Sequence, residues 1–238
     1  MDVLTASESQ RLDTDGFLPL GEIVEPRRVR AMRARLEELH AITEQGGGRL
    51  QVGKNLIEEE VFDAAWRHPR VLAAVAQVLG DGYRLLAVGS LSPRPGHGQQ
   101  ALHVDWGGPV PPGVWYACHV ICPLVDFTPE NGATRVIPGS HRTPKLVKGK
   151  GRGDMGYAEP DKPHPLQRQL VGRAGTVFIL NIHCAHSGML NRSDVPRLAI
   201  FTHFSRRDSP LLQINSHPEP SPATLARHDA EIRAMLVG

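Results

Sequence analysis

The order of patterns along the chain predicts an α+β fold that is mainly β: a jelly roll buttressed by helices gathered toward its N-terminal end. Two observations predict it. In the first third, apolar residues recur at helical spacing; from Tyr83 to Arg206 they fall instead in short runs rich in Val, Ile, Leu and Phe, cut by Gly, Pro and Asn. Helices segregated before a run of strands are expected to cover one sheet of an antiparallel sandwich or barrel, leaving its interior free for a ligand.

The elements follow in order. Pro26–Gln45 carries Val29, Met32, Leu36, Leu39 and Ile42 at helical spacing and stops at Gly46–Gly48. A second helix is expected from Pro69 to Leu79, with Pro at its start and Gly80 just past its end. Strands are expected within Val114–Phe127, Thr176–Asn181 and Arg197–Phe204, and a last helix over Pro222–Val237. The segment His141–Pro165, rich in Gly, Lys, Arg and Pro, reads as a long surface loop and a candidate lid, with Lys145, Lys148, Lys150 and Arg152 suited to an anionic group. A chain of 238 residues, 40% hydrophobic, is expected to form one domain. Its helical buttress spans about 1–80, the jelly-roll core about 83–206, and a tail with a helix 207–238.

Composition narrows the partners. The 27 Lys+Arg against 25 Asp+Glu, with no dense basic block, argue against nucleic acid. The start MDVLTASESQ lacks the features of a secretory signal, and the uncharged stretch Trp106–Val125 is broken by Pro and Gly, so neither export nor a membrane span is expected. Cys118, Cys122 and Cys184 make no disulfide framework and fit a reducing compartment, so the expected location is cytoplasmic. A small-molecule substrate and a monomer or homodimer complete this expectation.

The chemistry centres on His103-Val104-Asp105, because residues i and i+2 of a strand project from one face and bring an imidazole and a carboxylate together. Alone the pair is weak: twelve His and twelve Asp give roughly 0.6 such pairs by chance. A second, distant His would complete a facial triad suited to non-haem iron(II), which leaves coordination positions open. The segment after Thr176–Asn181 offers His183 and His186, and residue chemistry does not choose between them.

Three motifs carry a resemblance. His103-Val104-Asp105, then Pro129-Glu130-Asn131-Gly132-Ala133-Thr134-Arg135-Val136-Ile137-Pro138-Gly139-Ser140-His141, then His186-Ser187-Gly188 followed by Asn191-Arg192-Ser193-Asp194-Val195-Pro196-Arg197, resemble in order and spacing the phytanoyl-CoA dioxygenase family of iron(II)/2-oxoglutarate oxygenases. The resemblance is dense over about residues 90–206. It implies a double-stranded β-helix of the cupin-like kind, with Fe(II) held by His103, Asp105 and His186, and with 2-oxoglutarate and O2 as cosubstrates. Family spacing selects His186 over His183, and Arg197 for the distal carboxylate of 2-oxoglutarate, where a planar guanidinium can donate two parallel hydrogen bonds. Gln100, Thr134 and Ser187 are the further expected cosubstrate contacts. The chain departs from the pattern at Gly188, where several members carry Ser.

The implied reaction is hydroxylation of a small metabolite with release of succinate and CO2; desaturation, cyclisation or epimerisation would follow from the same chemistry. Related halogenases lack the carboxylate ligand, so Asp105 argues against halogenation. Two other classes stand beside this reading: a non-oxidative cupin-like isomerase or hydrolase, and a non-catalytic metal-binding sensor. Among other singled-out residues, His141 is expected to be structural in its turn, the cysteines to be small core residues, and His217 with Glu219 a chance pair. Trp106, Trp115 and Tyr157 are candidates for the pocket wall or lid.

Overall fold

A computed structural model gives the fold, and it describes residues 3–43, 47–53, 55–106, 111, 113–142, 161–209 and 219–237. Helix α1 (Ala6–Asp15) starts at a capping box, in which the Thr5 side chain accepts from the Glu8 N–H and the Glu8 carboxylate accepts from the Thr5 N–H. It ends at Gly16, whose φ of 77° is the left-handed conformation that suits glycine. Strand β1 (Phe17–Glu22), helix α2 (Pro26–Ile42), strand β2 (Arg49–Val52) and two 3-10 turns (Leu56–Glu58, Glu60–Ala65) follow, then helix α3 (Pro69–Leu79). The β region comprises β3 (Tyr83–Pro93), β4 (Ala117–Pro123), β5 (Arg135–Val136), β6 (Arg168–Gln169), β7 (Thr176–Asn181), β8 (His186–Ser187) and β9 (Ala199–Arg206). Two short helices, α4 (Pro222–Ala226) and α5 (Ala230–Leu236), close the described chain.

The strands form two antiparallel sheets, one of six in the order β1-β7-β4-β9-β3-β2 and one of three in the order β6-β5-β8. Alternation along each strand sorts the larger sheet into two faces. On β4, Cys118, Val120 and Cys122 join the helices in one core with Met32 and Leu36 of α2 and Val71 and Val75 of α3. Ala117, His119 and Ile121, one residue out of phase, line a cavity inside the jelly roll. A second apolar cluster contains Phe127, Val136, Phe178 and Leu180, the last of which also lines the cavity. Each large side chain so buried contributes about 1.5–3 kcal/mol.

The sandwich and its helical cover agree with the sequence, with four differences. The first third is not purely helical: β1 and β2 form the two edges of the larger sheet. Pro19 explains the choice for β1, since a residue without an N–H is tolerated at an edge, and the pairing slips between Pro19 and Glu22. The expected strand Val114–Phe127 contracts to β4, and Arg197–Phe204 shifts two residues onward to β9. The expected C-terminal helix is two helices, because Asp229 caps a second start by accepting from the Ile232 N–H at 2.9 Å. The candidate lid falls largely outside the described residues, as do Lys145, Lys148, Lys150, Arg152, Tyr157 and His217.

Candidate metal centre

His103 and His186 are brought together by the backbone. Each donates its N–H to the other's carbonyl, at 3.1 and 2.8 Å, a single antiparallel bridge rather than the longer strand the sequence suggested. The Asp105 N–H donates to the Ile182 carbonyl at 3.2 Å and fixes the carboxylate beside them. Asp105 lies 3.4 Å from Nε2 of His103 and 3.4 Å from Nε2 of His186. One ligand atom from each of the three lies within 4.8 Å of the others.

The proton positions suit a metal. Nδ1 of His103 lies 2.8 Å from the Ala101 carbonyl and Nδ1 of His186 lies 2.9 Å from the Cys184 carbonyl, so each donates there, and the Nε2 that faces Asp105 is the atom that would bind a metal on giving up its proton. Burial by itself would raise the Asp105 carboxyl, but hydrogen bonding to His103 and His186 and the charge of His186 hold it well below the usual range. Two imidazoles and one carboxylate, without sulfur, fit a divalent first-row metal such as iron(II). His183 cannot serve in this conformation: its Nε2 accepts the Tyr116 N–H at 3.1 Å, and its ring lies between Trp106 and Trp115. Geometry thus brings His186, and not His183, beside His103 and Asp105.

Arg197 lines the same cavity, with 4% exposure and with Nε and Nη1 buried and lacking a hydrogen-bond partner among the described residues. Burial, and secondarily the nearby charge of Arg49, push its pKa down to about 10. Its guanidinium lies 5.1 Å from the Phe127 ring centre. A buried cation with no acid paired to it among the described residues is incomplete until an anion arrives. Gln100 and Thr134 line the same cavity. Ser187 does not: it is fully buried, and its Oγ accepts from Nε of Arg135 at 2.7 Å. The expected Ser187 contact is thus turned away, because across the β5–β8 pair it faces Arg135.

Gly188 is explained by crowding. A Cβ there would sit 2.8 Å from the Gly98 carbonyl oxygen, closer than real Cβ contacts allow. Gln100 occupies the neighbouring space, its N–H donating to the Gly188 carbonyl at 3.0 Å and its Oε1 accepting the Gly188 N–H at 2.9 Å. With Oε1 engaged, the amide nitrogen of Gln100 is the group left to donate elsewhere.

Sequence reasoning missed the histidine pair beside the triad. His119 of β4 and His203 of β9 are directly paired across the sheet, with ring centres 3.9 Å apart, and both line the cavity. Nε2 of His119 lies 3.7 Å from Asp105. Burial, then His203, keeps His119 neutral by lowering its pKa well below the usual value. The signal was present in the alternation Ala117, His119, Ile121, but only the register shows that this phase faces inward. Arg49 was missed for the same reason; it pairs with Pro93, whose carbonyl accepts from Arg197 N–H at 3.0 Å. His141 is structural as expected, contacting the Asp13 carbonyl at 3.1 Å and Cys184 at 3.4 Å, while Trp106 lines the cavity and Trp115 packs on His183.

Comparison with known proteins agrees with this geometry. The pattern of the phytanoyl-CoA dioxygenase family matches residues 12–199. The ectoine dioxygenase of Nocardia farcinica is 26% identical over 256 residues, covering 91% of this chain and 83% of that protein. The crystal structure of HygX from Streptomyces hygroscopicus with nickel and 2-oxoglutarate bound is similar with a TM-score of 0.70 at 20% identity, covering 87% of this chain and 88% of that one. The epimerase SnoN, solved with Fe3+, alpha ketoglutarate and nogalamycin RO, gives a TM-score of 0.68 at 21% identity and covers 84% and 82% of the two chains. The structural likenesses establish a shared jelly-roll fold.

Proposed function

The chain belongs to the phytanoyl-CoA dioxygenase family and is an iron(II)- and 2-oxoglutarate-dependent dioxygenase; from that premise we propose that it hydroxylates a small organic metabolite. His103, Asp105 and His186 hold the iron, and Arg197 takes the distal carboxylate of 2-oxoglutarate. The observation that carries this reading is the pairing, in one cavity, of the triad with a buried guanidinium whose Nε and Nη1 have no partner among the described residues. Bound iron with 2-oxoglutarate and O2 supplies the oxidising power that removes a substrate hydrogen, with succinate and CO2 as coproducts.

The chain's own residues do the positioning. Nδ1–H groups of both histidines, anchored on backbone carbonyls, orient the rings. Arg197, with Arg49 near it, neutralises a carboxylate in a partly dry site, and Gln100 offers its amide nitrogen where Gly188 leaves no room for a serine hydroxyl. His119 and His203, their rings in contact, form a cavity wall next to the metal site against which a substrate can be oriented. No helix among the described residues is long and apolar enough to cross a membrane, and the reading is of a cytoplasmic monomer or homodimer that does not engage nucleic acid.

Succinate release tests the reading. Formation of succinate that requires iron(II), 2-oxoglutarate and O2 together supports it, whereas substrate conversion without O2 would favour a non-oxidative cupin-like isomerase or hydrolase. A product heavier by one oxygen marks hydroxylation; an isomeric product marks epimerisation.

A further inference from the structure

Among the described residues Arg135 is the largest fully buried charged side chain, wholly inaccessible on the two-residue strand β5. Its guanidinium gathers three segments far apart in sequence. Nε donates to Ser187 Oγ at 2.7 Å, next to the metal ligand His186. Nη2 donates to the Gln100 carbonyl at 3.4 Å. Nη1 donates to the Lys162 carbonyl and, at 3.2 Å, to Oε1 of Gln167. The planar fork thus reaches a hydroxyl, two backbone carbonyls and an amide oxygen at once. Gln100 is thereby held on both sides, by Arg135 on its own carbonyl and by Gly188 on its amide oxygen and N–H.

We propose that Arg135 is a positioning residue for the cosubstrate: it fixes Gln100 against Ser187 and Gly188 so that the Gln100 amide nitrogen faces the cavity end occupied by Arg197. This rests on the reading that Gln100 contacts 2-oxoglutarate. Arg135 touches neither metal nor cosubstrate and acts through Gln100. Lysine at this position would keep the charge but give up the planar fork, which reaches Ser187, Gln100, Lys162 and Gln167 together.

The test is a double-mutant cycle read by calorimetric titration of 2-oxoglutarate into the full-length protein loaded with nickel(II), a redox-silent stand-in. Arg135→Lys is expected to leave nickel affinity unchanged and to raise the 2-oxoglutarate Kd about tenfold, as is Gln100→Ala. The double variant is expected to match Gln100→Ala alone, a loss of about tenfold rather than a hundredfold, because both changes remove one interaction. Effects that multiply, an Arg135→Lys variant that binds 2-oxoglutarate normally, or a Gln100→Ala variant that does so, overturn the proposal. Should Arg135→Lys fail to fold, Ser187→Ala takes its place in the cycle. Its smaller rise in Kd must likewise vanish in the Gln100→Ala background, or the proposal falls. A wild-type protein that binds nickel but not 2-oxoglutarate would refute the functional reading itself, a distinct outcome.

Discussion

Arg197→Met is expected to make the ligand-free protein more stable while making it blind to 2-oxoglutarate. Arg197 is held with its pKa pushed down to about 10 from the ordinary arginine range, first by burial and then by Arg49. That drop, at 1.36 kcal/mol per pH unit, corresponds to about 3 kcal/mol against keeping the charge in the fold. Below pH 10 both folded and unfolded states hold the proton, so the full penalty is present at neutral pH and is relieved only as pH rises above 10. Methionine removes it but forfeits the contact with Phe127, worth about 0.5–2 kcal/mol. A net gain of about 1–3 kcal/mol follows, or several degrees in Tm for a chain of this size. Ligand response moves the other way. Removing one partner of a buried charge pair costs about 3–5 kcal/mol, about a hundredfold or more in Kd. At a cosubstrate concentration 100 times Kd the wild type should gain about 2.7 kcal/mol, and Arg197→Met almost nothing. Thermal melts of the zinc-loaded proteins with and without 2-oxoglutarate measure both. A folded Arg197→Met protein that is less stable than wild type, or that keeps the 2-oxoglutarate shift, refutes the reasoning.

Three further outcomes follow. Arg206→Ala should leave 2-oxoglutarate affinity unchanged in the same titration, because Arg206 is paired with Asp208 at the surface. Gly188→Ala places a Cβ 2.8 Å from the Gly98 carbonyl oxygen and should cost about 1–3 kcal/mol by urea denaturation, while weakening 2-oxoglutarate binding by displacing Gln100. His183, buried and pushed down to about 3, stays neutral in the fold while the unfolded chain takes up a proton near its ordinary value, so its contribution is intact above that value and fades as pH falls toward 3. The wild type should lose about 2 kcal/mol between pH 7.5 and pH 5 that His183→Gln does not lose; parallel pH profiles would contradict this.

Legibility varied with how local the determining physics is. Helix α3 and strand β7 lie where Pro69, Gly80 and the run Thr176–Asn181 place them, because end signals and apolar patterning act within a few residues. Strand β1 was missed because Phe17–Glu22 is short, contains Pro19, and is a strand only through its pairing with β7. His103 and Asp105 could be read from their spacing, and Arg197 from resemblance, but Ser187 and Gly188 could not be resolved without seeing Arg135 and the Gly98 carbonyl across the sheets. His119 and Arg49 became visible only once register fixed which phase of β4 and β2 faces inward.

The central claim is that His103, Asp105 and His186, and not His183, hold iron to which 2-oxoglutarate binds. Anaerobic titration of the apoprotein with iron(II) and then 2-oxoglutarate, followed by visible absorption, tests it most directly. A metal-to-ligand charge-transfer band should grow to saturation at one equivalent of iron in the wild type and in His183→Ala, and should be absent in His186→Ala. A band that survives in His186→Ala, or disappears in a folded His183→Ala, would contradict the account.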